Sequence, residues 1–176
     1  MFKVDSDEFR FDWSHLGDIK LGRPNLGANT TVAMYRLMQF TLRDSAIKHT
    51  DAETAARIFY DAGFNAGRAL YENMIVPVTD FNDLVQKLQH LLEELNVGIL
   101  RIEEADLENL KFTMTVSEDL DCSGLPLHED AICTFDEGLL AGILETFTGV
   151  PFHVKEVDCW CTGDRTCRFK AVAVKE

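Results

Sequence analysis

Positive charge is scarce in this sequence: 17 Lys and Arg stand against 30 Asp and Glu in 176 residues, a net charge of -13. Such a field repels the phosphate backbone whose neutralisation by basic side chains drives nucleic-acid binding, so direct contact with DNA or RNA is disfavoured. Long apolar runs are missing as well. No stretch approaches the roughly 18 unbroken apolar residues of a membrane span, and the segment from Met1 to Trp13 lacks the apolar heart of a signal peptide. These absences predict a cytoplasmic protein with no membrane span. No Gly-x-Gly-x-x-Gly follows a predicted strand and there is no phosphate-binding loop, so nicotinamide or flavin chemistry has no visible seat. Internal repeats and low-complexity tracts are absent. What remains is the composition of an ordinary globular domain, 46% hydrophobic and 27% charged, in a chain of the length that one core serves.

Residues 1–28 mix charges, aromatics and turn formers, with Gly22, Pro24, Asn25 and Gly27 too close together for a regular element, and read as an ordered arm. Residues 29–176 read as a single domain. A helix is predicted from about Thr31 to Ile47, where Met34, Leu37, Met38 and Leu42 recur at helical spacing. The next is expected to open on a Thr50-Asp51-Ala52-Glu53 capping box and to run to about Tyr71. It carries Gly63 and Gly67 four apart, and the same spacing recurs at Gly138 and Gly142; close helix packing explains both pairs, and a dimer seam is the alternative. Phe81 to Leu95 has one apolar face, with Gly98 placed to end the helix. Strands are predicted at about Ile99–Glu103, Lys111–Val116, Phe152–Trp160 and Cys167–Val174, and a further helix at Thr134–Phe147 closed by Gly149 and Pro151. Helices grouped early and strands late predict an α+β domain, an antiparallel sheet packed against helices.

Without an export signal, five cysteines are better explained as thiols or metal ligands than as a disulfide framework. Cys159, Cys161 and Cys167 lie on one predicted hairpin beside Glu156, and Cys133 stands at the mouth of the helix that begins near Thr134, where amide dipoles favour a thiolate. Zinc takes thiolates and accepts a carboxylate oxygen, usually in a tetrahedron, and a hairpin facing a helix start supplies that geometry. Paired Cys-x-x-Cys knuckles are lacking, so burial of the same cysteines as small apolar residues stays open.

The stretch from Cys133 through Asp136-Glu137-Gly138 to Cys159, Gly163, Cys167 and Phe169 resembles the vinyl-4-reductase domain family. The Arg23-Pro24-Asn25-Leu26-Gly27 segment and the Tyr35-Arg36-Leu37 helix resemble its stand-alone members, so the likeness spans most of the chain. That family includes bacterial and archaeal proteins described as hydrocarbon-binding, a protein linked to bacteriochlorophyll synthesis, and the sensor domains of phenol-responsive transcription activators. The resemblance implies an α/β sandwich related to TRAPP subunits and to ligand-binding NO-signalling domains, usually dimeric. It implies a structural zinc held by Cys133, Glu156, Cys159 and Cys167, closed to water because four protein ligands leave no open position. Cys122 and Cys161 fall outside that pattern, and His153 and Asp158 lie within sequence reach behind the ligands. The resemblance also places Phe112, Met114 and Val154 near an apolar pocket, with core filling as the plainer explanation of Phe112 and Met114.

The function expected is binding or sensing of a hydrophobic or aromatic small molecule, without catalysis, by a homodimer that passes its state to an unidentified protein partner. No attached ATPase or DNA-binding helix-turn-helix is visible in the sequence, so output is expected through another chain. A structural assembly subunit is the alternative. An accessory protein or reductase in tetrapyrrole vinyl reduction is the further one.

Overall fold

The computed structural model describes residues 10–174. It begins with an Asp12-capped 3-10 turn at Trp13–Leu16 and a short helical turn, α1 (Ile19–Gly22), followed by the long helices α2 (Val32–His49) and α3 (Ala52–Leu70). Then come α4 (Phe81–Glu94), β1 (Ile99–Asp106), β2 (Lys111–Ser117), α5 (Thr134–Thr148), β3 (Phe152–Asp158) and β4 (Cys167–Ala173). The four strands form one antiparallel sheet in the order β1-β2-β4-β3, so the fold is α+β as expected. Among the described residues no helix is long and apolar enough to cross a membrane.

Alternation decides which face of the sheet is covered. Phe112, Met114 and Val116 of β2, Phe152, Val154 and Glu156 of β3, and Cys167, Phe169 and Ala171 of β4 are buried at every second position. Against that face lie α4, through Leu84, Leu88, Leu91 and Leu92, and α5, which is buried continuously from Asp136 to Leu144. A helix buried all round must be covered on both sides, and α3 supplies the second cover.

The contact between α3 and α5 is made by the four spaced glycines. A Cβ on Gly63 would stand 2.0 Å from the Phe135 carbonyl oxygen, and one on Gly138 2.0 Å from that of Tyr60; Gly67 and Gly142 face Leu139 and Phe64 at 2.1 and 2.2 Å. Both glycine pairs therefore serve one helix crossing inside the chain. The helices run in the same direction, since Gly63 meets Phe135 and Leu139 while Gly67 meets Leu139 and Ile143.

Three local expectations change. The N-cap of α3 is Asp51, whose carboxylate accepts from the Thr54 amide at 2.8 Å, whereas the Thr50 hydroxyl donates back to Ala46 O and closes α2. The two residues between the helices are divided, Thr50 committed to the first and Asp51 to the second. After α4 the left-handed position is Asn96 at φ 55°, not Gly98, whose missing side chain instead makes room for Val116 Cγ1. The β3 hairpin arm also ends earlier than expected, at Asp158, because a 3-10 turn at Trp160–Thr162 interrupts it.

Candidate metal centre and ligand cavity

The end of the sheet beside the N-terminus of α5 gathers sulfur. Cys133 is the N-cap residue of α5, and Cys167 opens β4 on its inward face. Cys159 follows an irregularity in β3 between Glu156 and Asp158 and caps the 3-10 turn. Glu137, in the first turn of α5, accepts from the Glu156 amide at 2.9 Å and from Lys155 Nζ at 2.9 Å, which ties that irregular strand end to the helix. All five cysteines are free and buried.

The sulfur separations are Cys133–Cys159 3.8 Å, Cys133–Cys167 3.9 Å and Cys159–Cys167 4.0 Å. Thiolates bound to zinc at ~2.3 Å in a tetrahedron stand ~3.8 Å apart, so these three sulfurs make one face of such a site. Two groups compete for the fourth vertex. Cys122 Sγ lies 3.1 Å from Cys167 Sγ, and the four ligand sulfurs fall within 4.8 Å of one another. Glu156 is 4% exposed; its Oε2 accepts from the Cys133 amide at 3.2 Å, and its buried Oε1 has no partner. Cys161 Sγ is 3.2 Å from Cys159 Sγ and donates to Asp130 O, outside the four-sulfur group. His153 points to the exposed face of β3, and Asp158 pairs with Arg168 on the sheet surface.

The electrostatics of this cluster call for a cation. Burial, then the neighbouring Cys159, pushes the Glu156 carboxyl up to about 8, and burial first pushes Cys161 to about 12. The close sulfur of Cys122 heads the causes that hold the Cys133 thiol far above its ordinary value. Cys159 alone is pulled the other way, by the close sulfurs of Cys122, Cys133 and Cys167, so it carries the thiolate while its neighbours keep their protons, and a metal would supply the positive charge that lets the others ionise. Three thiols at tetrahedral spacing, a fourth close by and an orphaned carboxylate oxygen make a donor set that fits zinc.

A half-open, partly polar cavity of about 450 Å³ at one end of β1, β2 and β4 is lined by residues such as Lys111, Phe112 and Lys170. The apolar cavity lies elsewhere. It is a half-open cleft of about 580 Å³ between α3, the first turn of α5, the end of α4 and the N-terminal arm, with walls that include Trp13, Leu70, Leu92 and Leu139. Phe112, Met114 and Val154 are not among its walls: they are 3%, 2% and 1% exposed in the core, with Phe112 stacked on Phe81 at 4.8 Å and on Phe152 at 5.9 Å.

Tyr35, Asp121 and Asp136 stand at the polar end of the cavity. Tyr35 Oη donates to Asp121 Oδ1 at 2.7 Å and Gln39 Nε2 to Oδ2 at 2.6 Å. The Arg36 guanidinium donates to Leu120 O and Ser123 O, each at 2.8 Å, so α2 holds the loop that carries Asp121 and Cys122. Burial raises both Asp119, to about 7, and Asp121, and it holds Asp136 well above the carboxylate range. Sequence reasoning set Cys122 outside the ligand pattern, read Asp136 only as part of the opening of α5, and did not single out Asp121. The sequence signal near Asp121 was the Tyr35-Arg36 pair, whose partners are 83 to 87 residues away.

Residues 112–173 match the V4R domain. An uncharacterized protein of Methanocaldococcus jannaschii is 27% identical over 146 residues, covering 82% of this chain and 79% of its own length. A second from that organism is 31% identical over 134 residues, and the chain spans 61% of its length. Three solved structures superpose with a TM-score of 0.65. They are the phenol-responsive sensory domain of the transcription activator PoxR (16% identical; 82% of this chain, 75% of that one), a vinyl-4-reductase family protein from M. jannaschii (21%; 96% and 100%), and trafficking protein particle complex subunit 3 from Naegleria fowleri (11%; 82% and 95%). At these identities the superpositions describe a shared fold.

Proposed function

With a V4R domain at residues 112–173 as the premise, we propose that this chain is a small-molecule sensing domain that encloses a hydrophobic or aromatic ligand, is braced by a structural zinc, and acts as a homodimer on a protein partner in the cytoplasm. The observation that carries the reading is the 580 Å³ apolar cavity, a size typical of small-molecule sites and walled on one side by the N-terminal arm. Two proteins of the same fold support it: the PoxR sensory domain was solved with phenol, and the Naegleria subunit with covalently bound palmitic acid. A second seat among Phe112, Met114 and Val154 requires the stack of Phe81, Phe112 and Phe152 to part.

Cys133, Glu156, Cys159 and Cys167 are the proposed zinc ligands. The orphaned Glu156 Oε1 favours the carboxylate as the fourth, because Cys122 sits closer to Cys167 than the edge of a zinc tetrahedron. Closed by four protein groups, the metal would supply cross-linking alone: it would staple the hairpin to α5 and leave no position for water. Assembly without a ligand is the second reading, favoured by the exposed apolar residues Met34, Leu37, Met38 and Leu42 of α2.

Native mass spectrometry of protein purified from its own host tests the proposal. One zinc per chain, a dimer mass and a retained organic adduct are expected. Metal without any adduct, together with a thermal midpoint that no apolar compound raises, would sink sensing in favour of assembly.

A further inference from the structure

The buried acids outside the proposed zinc site have no assigned role. Asp119, Asp121 and Asp136 are 2%, 3% and 7% exposed. Both oxygens of Asp121 accept hydrogen bonds, from Tyr35 and from Gln39. Asp119 Oδ1 accepts from the amides of Asp121 and Cys122 at 2.8 and 3.1 Å. Asp136 is the exception: its buried Oδ2 has no hydrogen-bond partner among the described residues. An acid at the third position of a helix ordinarily reaches back to the N-cap amide. Here the N-cap is Cys133, whose amide donates to Glu156 Oε2 at 3.2 Å, so Asp136 is released from that role.

Asp119, Cys133 and Asp136 form a triad of donors. One carboxylate oxygen each of Asp119 and Asp136 and the Cys133 sulfur lie within 4.8 Å of one another, and all three residues are buried. Two carboxylate oxygens and a thiolate suit a divalent transition ion, and the buried Oδ2 of Asp136 can take its missing partner only from inside the protein. Charge points the same way. Arg36 and Arg43 favour the ionised form of Asp121 through space, yet they donate to carbonyls and to Thr134 Oγ1 rather than to a carboxylate. A zinc held by three thiolates and a carboxylate is itself anionic, so it leaves Asp119 and Asp136 without compensation. The occupants left for the triad are protons shared between the carboxyls or a second cation.

We infer that Asp119, Asp136 and the thiolate of Cys133 hold a second divalent transition-metal ion, with Cys133 bridging it to the proposed zinc. The second ion lies beyond the proposed function and rests on its zinc reading through Cys133. It would join the loop after β2 to the first turn of α5, beside the wall of the apolar cleft where Asp121 and Asp136 stand. Two carboxylates and a shared thiolate hold it less tightly than three thiolates and a carboxylate hold zinc. It therefore exchanges with ions in solution and leaves during purification, while the zinc stays.

Equilibrium dialysis of the purified, zinc-carrying chain against cobalt(II) chloride tests this. One cobalt per chain is expected, with the zinc content unchanged and a thiolate-to-cobalt charge-transfer band that reports Cys133. In Asp136→Asn the cobalt affinity should fall by about tenfold or more, as loss of a ligand requires, while the zinc stays at one per chain and shows the variant to be folded. If no cobalt binds beside the zinc, or if Asp136→Asn binds it as well as the wild type does, the inference is overturned and the zinc reading stands. Cobalt taken up only as zinc leaves overturns it too, because a single site then exchanges its ion. Should Asp136→Asn fail to fold, the wild-type spectrum decides: cobalt bound without a charge-transfer band is not at Cys133. A purified chain without zinc removes this inference and the zinc reading together.

Discussion

At the scale of single residues, the proposed zinc site turns on one oxygen and one sulfur. Cys133, Cys159 and Cys167 hold tetrahedral spacing, whereas the Cys122–Cys167 separation of 3.1 Å is too short for two vertices of a zinc site. Glu156→Gln keeps the shape but removes the charge, and zinc should pass to a chelator faster than from the wild type. Cys122→Ser should retain one zinc per chain, and the thiolate-to-metal charge-transfer band of the cobalt-loaded protein should keep its intensity. The reverse pattern, with Cys122→Ser losing one thiolate's share of that band, would place Cys122 in the metal's coordination and Glu156 outside it. Cys167 and Cys133 were legible from spacing because strand alternation and a helix start fix where their side chains point, whereas Cys159 turns inward only through the irregularity between Glu156 and Asp158. Cys122 was not legible, since it reaches the cluster only because Arg36 and Tyr35 draw the loop after β2 toward α2. No periodicity encodes that.

Among elements, the crossing of α3 and α5 is the least forgiving contact. Gly138→Ala places a Cβ 2.0 Å from the Tyr60 carbonyl oxygen, so the helices must move apart. Overpacking of this kind costs about 1–3 kcal/mol, more than the up to about 1 kcal/mol that Ala returns as a better helix former. A lower urea midpoint with an unchanged slope is expected, while Gly22→Ala in α1, with nothing within 4 Å, should leave the midpoint where it is. A neutral or stabilising Gly138→Ala would refute the packing account. The glycine spacing was visible in the sequence, but whether it joined two helices of one chain or of two copies depended on the offset between α3 and α5. The helix ends were blurred for a different reason: Thr50 and Asp51 are both capping residues, and only the two-residue turn they form between α2 and α3 assigns each to its helix. The cavity lay further still from sequence reasoning, since its walls come from the arm, α3, α4 and α5 and share no period.

For the whole molecule, α2 is held to the loop after β2 by Tyr35, Arg36 and Gln39 but leaves an apolar stripe uncovered. Only Gln39 is buried on it, and Met34, Leu37, Met38 and Leu42 are 54%, 59%, 57% and 58% exposed at the helical spacing that in most domains faces a core. Neighbouring turns of one helix present them as a continuous apolar stripe, and the cheapest way to cover a stripe on a symmetric assembly is with its own copy. Leu37→Glu combined with Leu42→Glu should convert a dimer into a monomer in sedimentation velocity, without shifting the metal content or the urea midpoint of the core, which the stripe does not touch. The net charge of -13 per chain sets a second, independent expectation. Two such chains repel at long range, and salt screens that repulsion within a Debye length of ~10 Å at 0.1 M while leaving apolar contact intact. A dimer held by α2, as proposed, should therefore tighten as ionic strength rises. A dimer that loosens with salt would have to be held by ion pairs on another face, and the α2 assignment would fail.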